Sequence, residues 1–354
     1  MRLLFRISWR VIPLVMLLAG FFSACGSSSS QPSTTSNNNA GHALTTFTFA
    51  LDFTPNPNHA GIFVAQAKGW YKDAGIDLKI LPFSPSVSSD TEVATGKADA
   101  GVGSSESTVL DAGLNQPVVS ISAITPHNTS VIAVRPDEHV TQLSQLDGKL
   151  YGSYGAPYEV PIVSKAIQGA GGKGVFKAVT VQTDAVTDMV SKRVDFAWIF
   201  GLDVVQAKQE GVTLTTFPIT QFGIPDYYAP ELISSPAVIS GKADLLKSFM
   251  SATARGYEYA RKNPAEAAQD IVNGAKSLGT VLKLSDETAG MQYLSGQLSD
   301  MGRPWTGLQE PVPWRAFVQF MLNTKIVKNA SNQTVTTLDY TKLYTNQFLP
   351  SSTQ

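Results

Sequence analysis

The chain has 354 residues, of which 43% are apolar and 16% charged, with 27 lysines and arginines against 28 aspartates and glutamates. That length and apolar content allow about two domains with sizeable cores and exclude a disordered chain, and the near-zero net charge excludes nucleic-acid binding through a basic surface. One cysteine leaves no internal disulfide and no thiolate zinc site, and four separated histidines leave little for a metal cluster.

Residues 1–24 read as a signal peptide. Arg2, Arg6 and Arg10 precede an apolar run from Val11 to Phe22, shorter than the ~20 residues of a membrane span but of signal-peptide proportions. The run ends in Phe22-Ser23-Ala24-Cys25, which resembles a bacterial lipobox, with Phe22 where leucine is usual. Cleavage before Cys25 and lipidation of its thiol are expected; a plain secretory signal with an incidental cysteine is the alternative. Residues 25–46 are rich in Gly, Ser, Thr and Asn, a composition that buries no core and predicts a disordered tether with a mean span of about 25 Å.

From Phe47 the pattern alternates between strand and helix. Strands are expected at Phe47–Leu51, Ile76–Leu81, Ala98–Val102, Val118–Ile124 and Ser130–Val134, and helices at Asn58–Ala74, Ser86–Gly96 and Ser104–Gly113. A second run follows: strands at Tyr151–Ser153, Val179–Val181, Asp195–Phe200 and Thr213–Phe217, with helices at Pro157–Ile167, Asp184–Lys192 and Leu202–Glu210. The Pro-, Gly- and Tyr-rich stretch 220–236 reads as a crossing segment. From Lys242 onward the chain is mainly helical, with an apolar stripe through Leu245, Leu246, Phe249, Met250, Thr253, Tyr257 and Ala260. Asn263-Pro264 reads as a cap and first turn, and Ser285 and Trp314 mark two more helices. The fold class is therefore α/β, with mostly parallel sheets flanked by helices, two lobes and a cleft between them.

Tests for chemistry mostly fail. No nucleophile-elbow or Walker motif occurs. Gly169 to Gly174 matches G-x-G-x-x-G as a string but follows a helix and precedes a strand, the reverse of the dinucleotide-binding order. No catalytic dyad, cofactor or metal site is indicated.

The informative stretch is Leu51-Asp52-Phe53-Thr54-Pro55-Asn56-Pro57-Asn58-His59-Ala60-Gly61-Ile62-Phe63, continuing to Gly69-Trp70-Tyr71. A strand end delivers Asp52 and Phe53, two prolines stiffen the turn, and Asn56, Asn58 and His59 sit at a helix start, where free N–H groups can meet a ligand. Alternatively, Asn58 only caps the helix and His59 is a satisfied turn residue. This stretch resembles the thiamin-pyrimidine-precursor branch of the solute-binding proteins of ABC importers. Gly96-Lys97-Ala98-Asp99-Ala100-Gly101, Leu146 to Gly155, Gly223 to Tyr228 and Arg255 to Ala268 carry further similarity, so that residues 47–325 are covered.

The resemblance implies a type-II periplasmic-binding fold whose lobes close on a flat ligand. Lobe 1 is expected over 47–134 plus 226–350, and lobe 2 over 135–225. Carried over by position, Asp52 would bond a ring amino group, Phe53 would stack in place of the usual Trp, and Asn56 and His59 would shape the rim. Ser104 and Ser105 would face the same cleft. From the second lobe come Tyr154, Gly155, Tyr158 and Glu159, with Trp198 at a strand end and Asp226 and Tyr227 on the crossing. Against these roles stand ordinary ones: surface tyrosines, a first-turn glutamate balancing a helix dipole, a core tryptophan. The acidic contact that relatives often carry near Phe200-Gly201-Leu202 has no counterpart in register; Asp203 is nearest.

The implied function is capture of a thiamin-related pyrimidine, or a similar vitamin heteroaromatic, by a monomeric lipoprotein on the extracytoplasmic face of the cell membrane. Its partners would be an ABC permease and ATPase. A riboflavin receptor or sulfonate binder on the same fold is the alternative, although no Arg or Lys stands among the cleft positions to meet a sulfonate. A related enzyme group that makes the pyrimidine carries a cysteine cluster in the crossing segment and a reactive histidine. Here the segment reads Pro225-Asp226-Tyr227-Tyr228 without cysteine, and Ser107 stands about where that histidine would be, so the chain is expected not to be an enzyme.

Overall fold

The computed structural model describes residues 43–181 and 184–351; the signal-peptide and Cys25 expectations lie outside the described residues. Among the described residues ten strands form two five-stranded sheets. The first contains β1 (Thr45–Ala50), β2 (Ile76–Leu81), β3 (Ala100–Gly103), β4 (Val119–Ala123) and β10 (Glu231–Ser234), in the order β2-β1-β3-β10-β4. The second contains β5 (Ser130–Val134), β6 (Leu150–Ser153), β7 (Lys177–Thr180), β8 (Phe196–Phe200) and β9 (Thr215–Pro218), in the order β7-β6-β8-β5-β9. β1 begins at Thr45, inside the stretch assigned to the tether.

Both sheets follow one winding scheme. β1, β2 and β3 are mutually parallel, and β10 lies antiparallel between β3 and β4. β6, β7 and β8 are parallel, and β5 lies antiparallel between β8 and β9. The reversed strand in each sheet is the one that arrives directly from the other sheet: β4 leads into β5, and β9 leads back into β10. The expected α/β architecture of two mostly parallel sheets is observed, with two corrections. Ser130–Val134, assigned to the first lobe, pairs in the second sheet, where Ile132 stands opposite Trp198 and Phe217. The segment 220–236 is not a simple crossing, because it contains β10, all four residues of which are buried. Its Glu-Leu-Ile-Ser carries too short an apolar run to stand out from the surrounding Pro, Gly and Tyr.

The first core is built on Phe47 and Phe49, both fully buried on β1. The helix Ala243–Lys262 lays its apolar stripe across that sheet, with the Phe249 ring 4.4 Å from Phe47 and 5.4 Å from Tyr71. It meets the helix Ala60–Ala67 at a glycine pair: a β-carbon on Gly256 would lie 1.9 Å from the Gly61 carbonyl oxygen. The helix expected over Asn58–Ala74 is divided, because Gly69 adopts φ +76° between Ala60–Ala67 and the short helix Trp70–Asp73. Asn263 stands at the N-cap of the helix Pro264–Ser277 with Pro264 in its first turn, as expected, but its side chain makes no capping bond; its amide donates 3.0 Å to the Tyr259 carbonyl of the preceding helix.

A second core contains Tyr151, Ile162, Phe196 and Trp198 and continues through Tyr227 and Tyr228 to the helix Pro311–Asn323. The glycine-rich stretch 169–174 is a helix-to-strand loop, held by the Asp147 carboxylate, which accepts the Lys173 and Val175 N–H groups at 2.6 and 2.9 Å. Among the described residues no helix is long and apolar enough to cross a membrane.

Candidate functional site

Open α/β sheets bind ligands beyond the carboxyl ends of their parallel strands, and the residues that follow β1, β3, β6 and β8 converge there. After β1 the chain enters the Thr54–Asn58 turn. The Asn56 side chain is consumed by that turn, accepting the Asn58 N–H at 2.9 Å and donating to the Thr54 carbonyl at 2.9 Å. It therefore caps the helix start, a role expected of Asn58, and does not shape a rim. His59 is completely buried. Its Nδ1 accepts the Asn56 backbone N–H at 3.1 Å, so the ring proton sits on Nε2, which donates to Asp52 Oδ1 at 2.8 Å. His59 thus stands behind Asp52 and orients it. Phe53 is half exposed and packs 5.1 Å from Phe83.

After β3, Ser104 caps the helix Ser105–Gly113 and accepts the Ser107 N–H at 3.3 Å. Ser105 turns into the interior, where its hydroxyl donates to Glu231 Oε2 at 3.0 Å and its N–H to the Tyr228 carbonyl; it does not face the cleft as expected. The next residue, Glu106, is 2% exposed. Its Oε1 accepts the Tyr227 hydroxyl at 2.5 Å, while Oε2 has no hydrogen bond. Burial holds its carboxyl above the usual range, against hydrogen bonding from Tyr227, its own backbone N–H and the Ser104 hydroxyl. Beside it Asp90, in the first turn of the helix Ser89–Ala94, leaves Oδ1 buried without a partner. A β-carbon on Gly103 would lie 3.2 Å from that oxygen. Burial pushes Asp90 up to about 8, with nearby Asp111, Asp52 and Glu106 adding to it.

From the second sheet, Tyr158 lies edge-on to Trp198 with ring centroids 6.0 Å apart. Burial raises its pKa well above the ordinary phenol value; Glu106 and Asp90 act on it in the same direction, and a hydrogen bond from Ser104 opposes them. Tyr158 therefore meets the β3 end of the first sheet. Trp198 belongs to the core beneath it. Glu159 is not available to a ligand: its carboxylate accepts the Tyr151 hydroxyl at 2.9 Å, the Tyr154 N–H at 3.0 Å and the Ala156 N–H at 2.7 Å, fixing the loop after β6. In that loop Gly155 takes φ +93° and Tyr154 is half exposed, its hydroxyl accepting the Ala185 N–H at 3.2 Å. Phe200, which closes β8, is exposed at 39%, and Asp203 accepts its N–H at 2.7 Å. Burial pushes Asp203 up to about 6.

The two chain passages are tied together. Asp226 accepts the Asn128 N–H at 2.9 Å and bonds His127, whose other nitrogen lies 2.9 Å from Asp300. Asp226 is thus a strut between the passages. Tyr227 is buried, stacked 3.9 Å from Phe317, and supports Glu106 from behind. Asn128 holds the start of β5 through its Oδ1 and leaves Nδ2 unpartnered.

The structure links Tyr158 to Ser104 and, through Asp90, places Asp52 in the same neighbourhood; Phe53, Tyr154 and Gly155 are exposed. It adds Asp90, Glu106 and Asn128, which sequence reasoning missed. Glu106 directly follows a serine pair at a strand-to-helix turn, the one local signal that pointed to it. Neither Asp90 nor Glu106 pairs with a lysine or arginine among the described residues, and no group of three or more His, Cys, Asp or Glu is placed to hold a metal ion. What the arrangement can do is accept hydrogen bonds: it offers buried carboxyl oxygens and aromatic faces.

Comparisons with known proteins agree with this architecture. The chain is 23% identical over 283 residues to the formylaminopyrimidine-binding protein of Halalkalibacterium halodurans, covering 79% of this chain and 85% of that one. It is 25% identical over 311 residues to the 4-amino-5-hydroxymethyl-2-methylpyrimidine phosphate synthase of Legionella pneumophila, covering 86% and 92%. The fold matches the periplasmic aliphatic sulphonate binding protein SsuA from Escherichia coli with a TM-score of 0.59 at 12% identity, over 79% of this chain and 85% of that one. The family model described as NMT1/THI5 like matches residues 56–267, and the chain belongs to that family.

Proposed function

We propose that the protein is the extracytoplasmic solute-binding component of an ABC importer and that its solute is an aminopyrimidine. The observation that carries this reading is the set of buried, unpartnered carboxyl oxygens on Asp90 and Glu106, beside Asp52. A buried acceptor without a partner is unfavourable until a donor arrives, and an aminopyrimidine brings N–H donors on a flat ring. A sulfonate brings only acceptors and has no N–H donor to offer these oxygens. The name of the Halalkalibacterium relative supports a pyrimidine, and the winding of two sheets joined by two passages supports capture by closure.

Relatives are also named as pyrimidine synthases. The absence of cysteine from the return passage favours binding over synthesis: residues 219–230 contain none, and Ser107 is engaged in the local cap of its helix. Export and anchoring through Cys25 belong to the same proposal.

A thermal-shift panel tests it. At a free concentration of 100 times its Kd, a ligand stabilises the folded state by about 2.7 kcal/mol. 4-Amino-5-hydroxymethyl-2-methylpyrimidine or formylaminopyrimidine should shift the melting temperature and be recovered chemically unchanged. A shift with riboflavin or an alkanesulfonate alone would contradict the proposal.

A further inference from the structure

We propose that Asp90 and Glu106 form the specificity pair of the cleft, their free oxygens accepting the N–H bonds of an amino group carried by the ligand ring. The inference rests on the aminopyrimidine reading and names the residues that enforce it.

Three features carry it. First, the two carboxyls come from different helices but meet at the end of β3, one in the first turn after Ser88 and the other in the first turn after Ser104. Second, each has an oxygen that is buried and unbonded, Oδ1 in Asp90 and Oε2 in Glu106, although Glu106 as a residue is 2% exposed. Third, the protein holds Glu106 rigidly: Tyr227 donates to Oε1 and is itself clamped against Phe317. Oε1 is thereby fixed, and Oε2 is left without a hydrogen bond, with the Ser104 hydroxyl also acting on the carboxyl. Asp111, Asp270 and Glu287 each also leave one buried oxygen without a hydrogen bond, but the buried carboxyls that flank the pair on the neighbouring strand and loop are treated differently. Glu159 has three donors, and Glu231 receives the Ser105 and Thr108 hydroxyls on its two oxygens. Gly103 adds to the contrast, since it places no side chain over Asp90 Oδ1.

The chemistry selects for donors. An amino group on the ring presents two N–H bonds in the ring plane, and two acceptor oxygens from separate helices can take one each. A ring with hydrogen in that position leaves both oxygens unpaired, and a site built around a polar partner rejects the analogue that lacks it. An anionic group supplies no N–H donor and leaves the same oxygens unpaired.

The test is a set of calorimetric titrations with two probes, 4-amino-5-hydroxymethyl-2-methylpyrimidine and the same molecule without its 4-amino group. The wild-type chain is expected to favour the amino probe by about thirtyfold or more, the effect of two hydrogen bonds. Asp90→Leu and Glu106→Leu are each expected to lose about tenfold for the amino probe and to bind the des-amino probe as wild type does or better. Should either leucine variant fail to fold, as judged by circular dichroism, Asp90→Ala and Glu106→Ala are titrated with the same probes. Equal losses for both probes would reduce the pair to a structural role and overturn the inference, as would an unchanged amino preference in the variants. A wild-type chain that binds neither probe would instead overturn the aminopyrimidine reading itself.

Discussion

The Nε2 of His59 lies 2.8 Å from Oδ1 of Asp52, and the His59 ring, fully buried, has its other nitrogen taken by the Asn56 N–H. The turn therefore fixes the tautomer, and the tautomer fixes the carboxylate. His59 is a positioning residue, and Asp52 is the group left to meet a ligand. His59→Gln, which keeps a donor of different reach, is expected to weaken binding of 4-amino-5-hydroxymethyl-2-methylpyrimidine by about five- to tenfold, roughly one hydrogen bond. Calorimetric titration checks this; an affinity equal to wild type would detach His59 from the site.

Glu231 opens β10, completely buried, and burial pushes its carboxyl up to about 8. The folded state thus retains a proton that the unfolded chain releases near the usual glutamate value. The contribution of this group to stability is fully present below that unfolded value and is lost as pH rises through about 8. Asp90 acts in the same direction. The melting temperature is expected to fall between pH 5 and pH 8, and Glu231→Gln, which keeps the shape without the titration, should flatten that slope. Thermal melts across this range measure it.

The helices Ala60–Ala67 and Ala243–Lys262 touch backbone to backbone at Gly61 and Gly256. Gly256→Ala would force them apart, since its β-carbon would lie 1.9 Å from a carbonyl oxygen. A loss of about 3 kcal/mol, at the upper end for overpacking, is expected from urea unfolding.

Tyr158 reaches from the second sheet to Ser104 on the first and lies close enough to Glu106 to feel its charge. Tyr158→Phe keeps the edge contact with Trp198 and removes only the hydroxyl. Binding of the amino probe should weaken by about fivefold in calorimetric titration, the equivalent of one hydrogen bond of about 1 kcal/mol; an unchanged affinity would remove the hydroxyl from the site.

Much of the fold was legible because strand and helix periods were clean. Ile76–Leu81 and Ser130–Val134 are strands with the expected bounds. What sequence could not supply was partnership. Nothing in Ser130–Val134 says that it pairs with Phe196–Phe200 and not with the strands before it; that follows from the direction in which the chain leaves β4. β10 was missed because four residues carry too little periodicity. The site was legible in part for the same reason. Asp52 and Phe53 sit in a local pattern that delivers them to a strand end, and Tyr158 comes from the resemblance, at the start of the helix Glu159–Gly169, whereas Asp90 looks like an ordinary first-turn acid, and its buried oxygen arises only when β3 and the neighbouring helix enclose it. Conversely, Ser105, Glu159 and Tyr227 stand in the right places along the chain, but their polar atoms are taken up by Glu231, by the loop after β6 and by Glu106.

The central claim is that this cleft selects a neutral, amino-bearing pyrimidine over an anion. Competitive calorimetry on the purified protein addresses it directly, titrating 4-amino-5-hydroxymethyl-2-methylpyrimidine, riboflavin and an alkanesulfonate under one buffer. Saturable one-to-one binding of the pyrimidine, undisturbed by excess sulfonate and abolished in the Asp52→Ala, Asp90→Leu double variant, is the expected result. Binding of the sulfonate with no response to the pyrimidine would contradict the account.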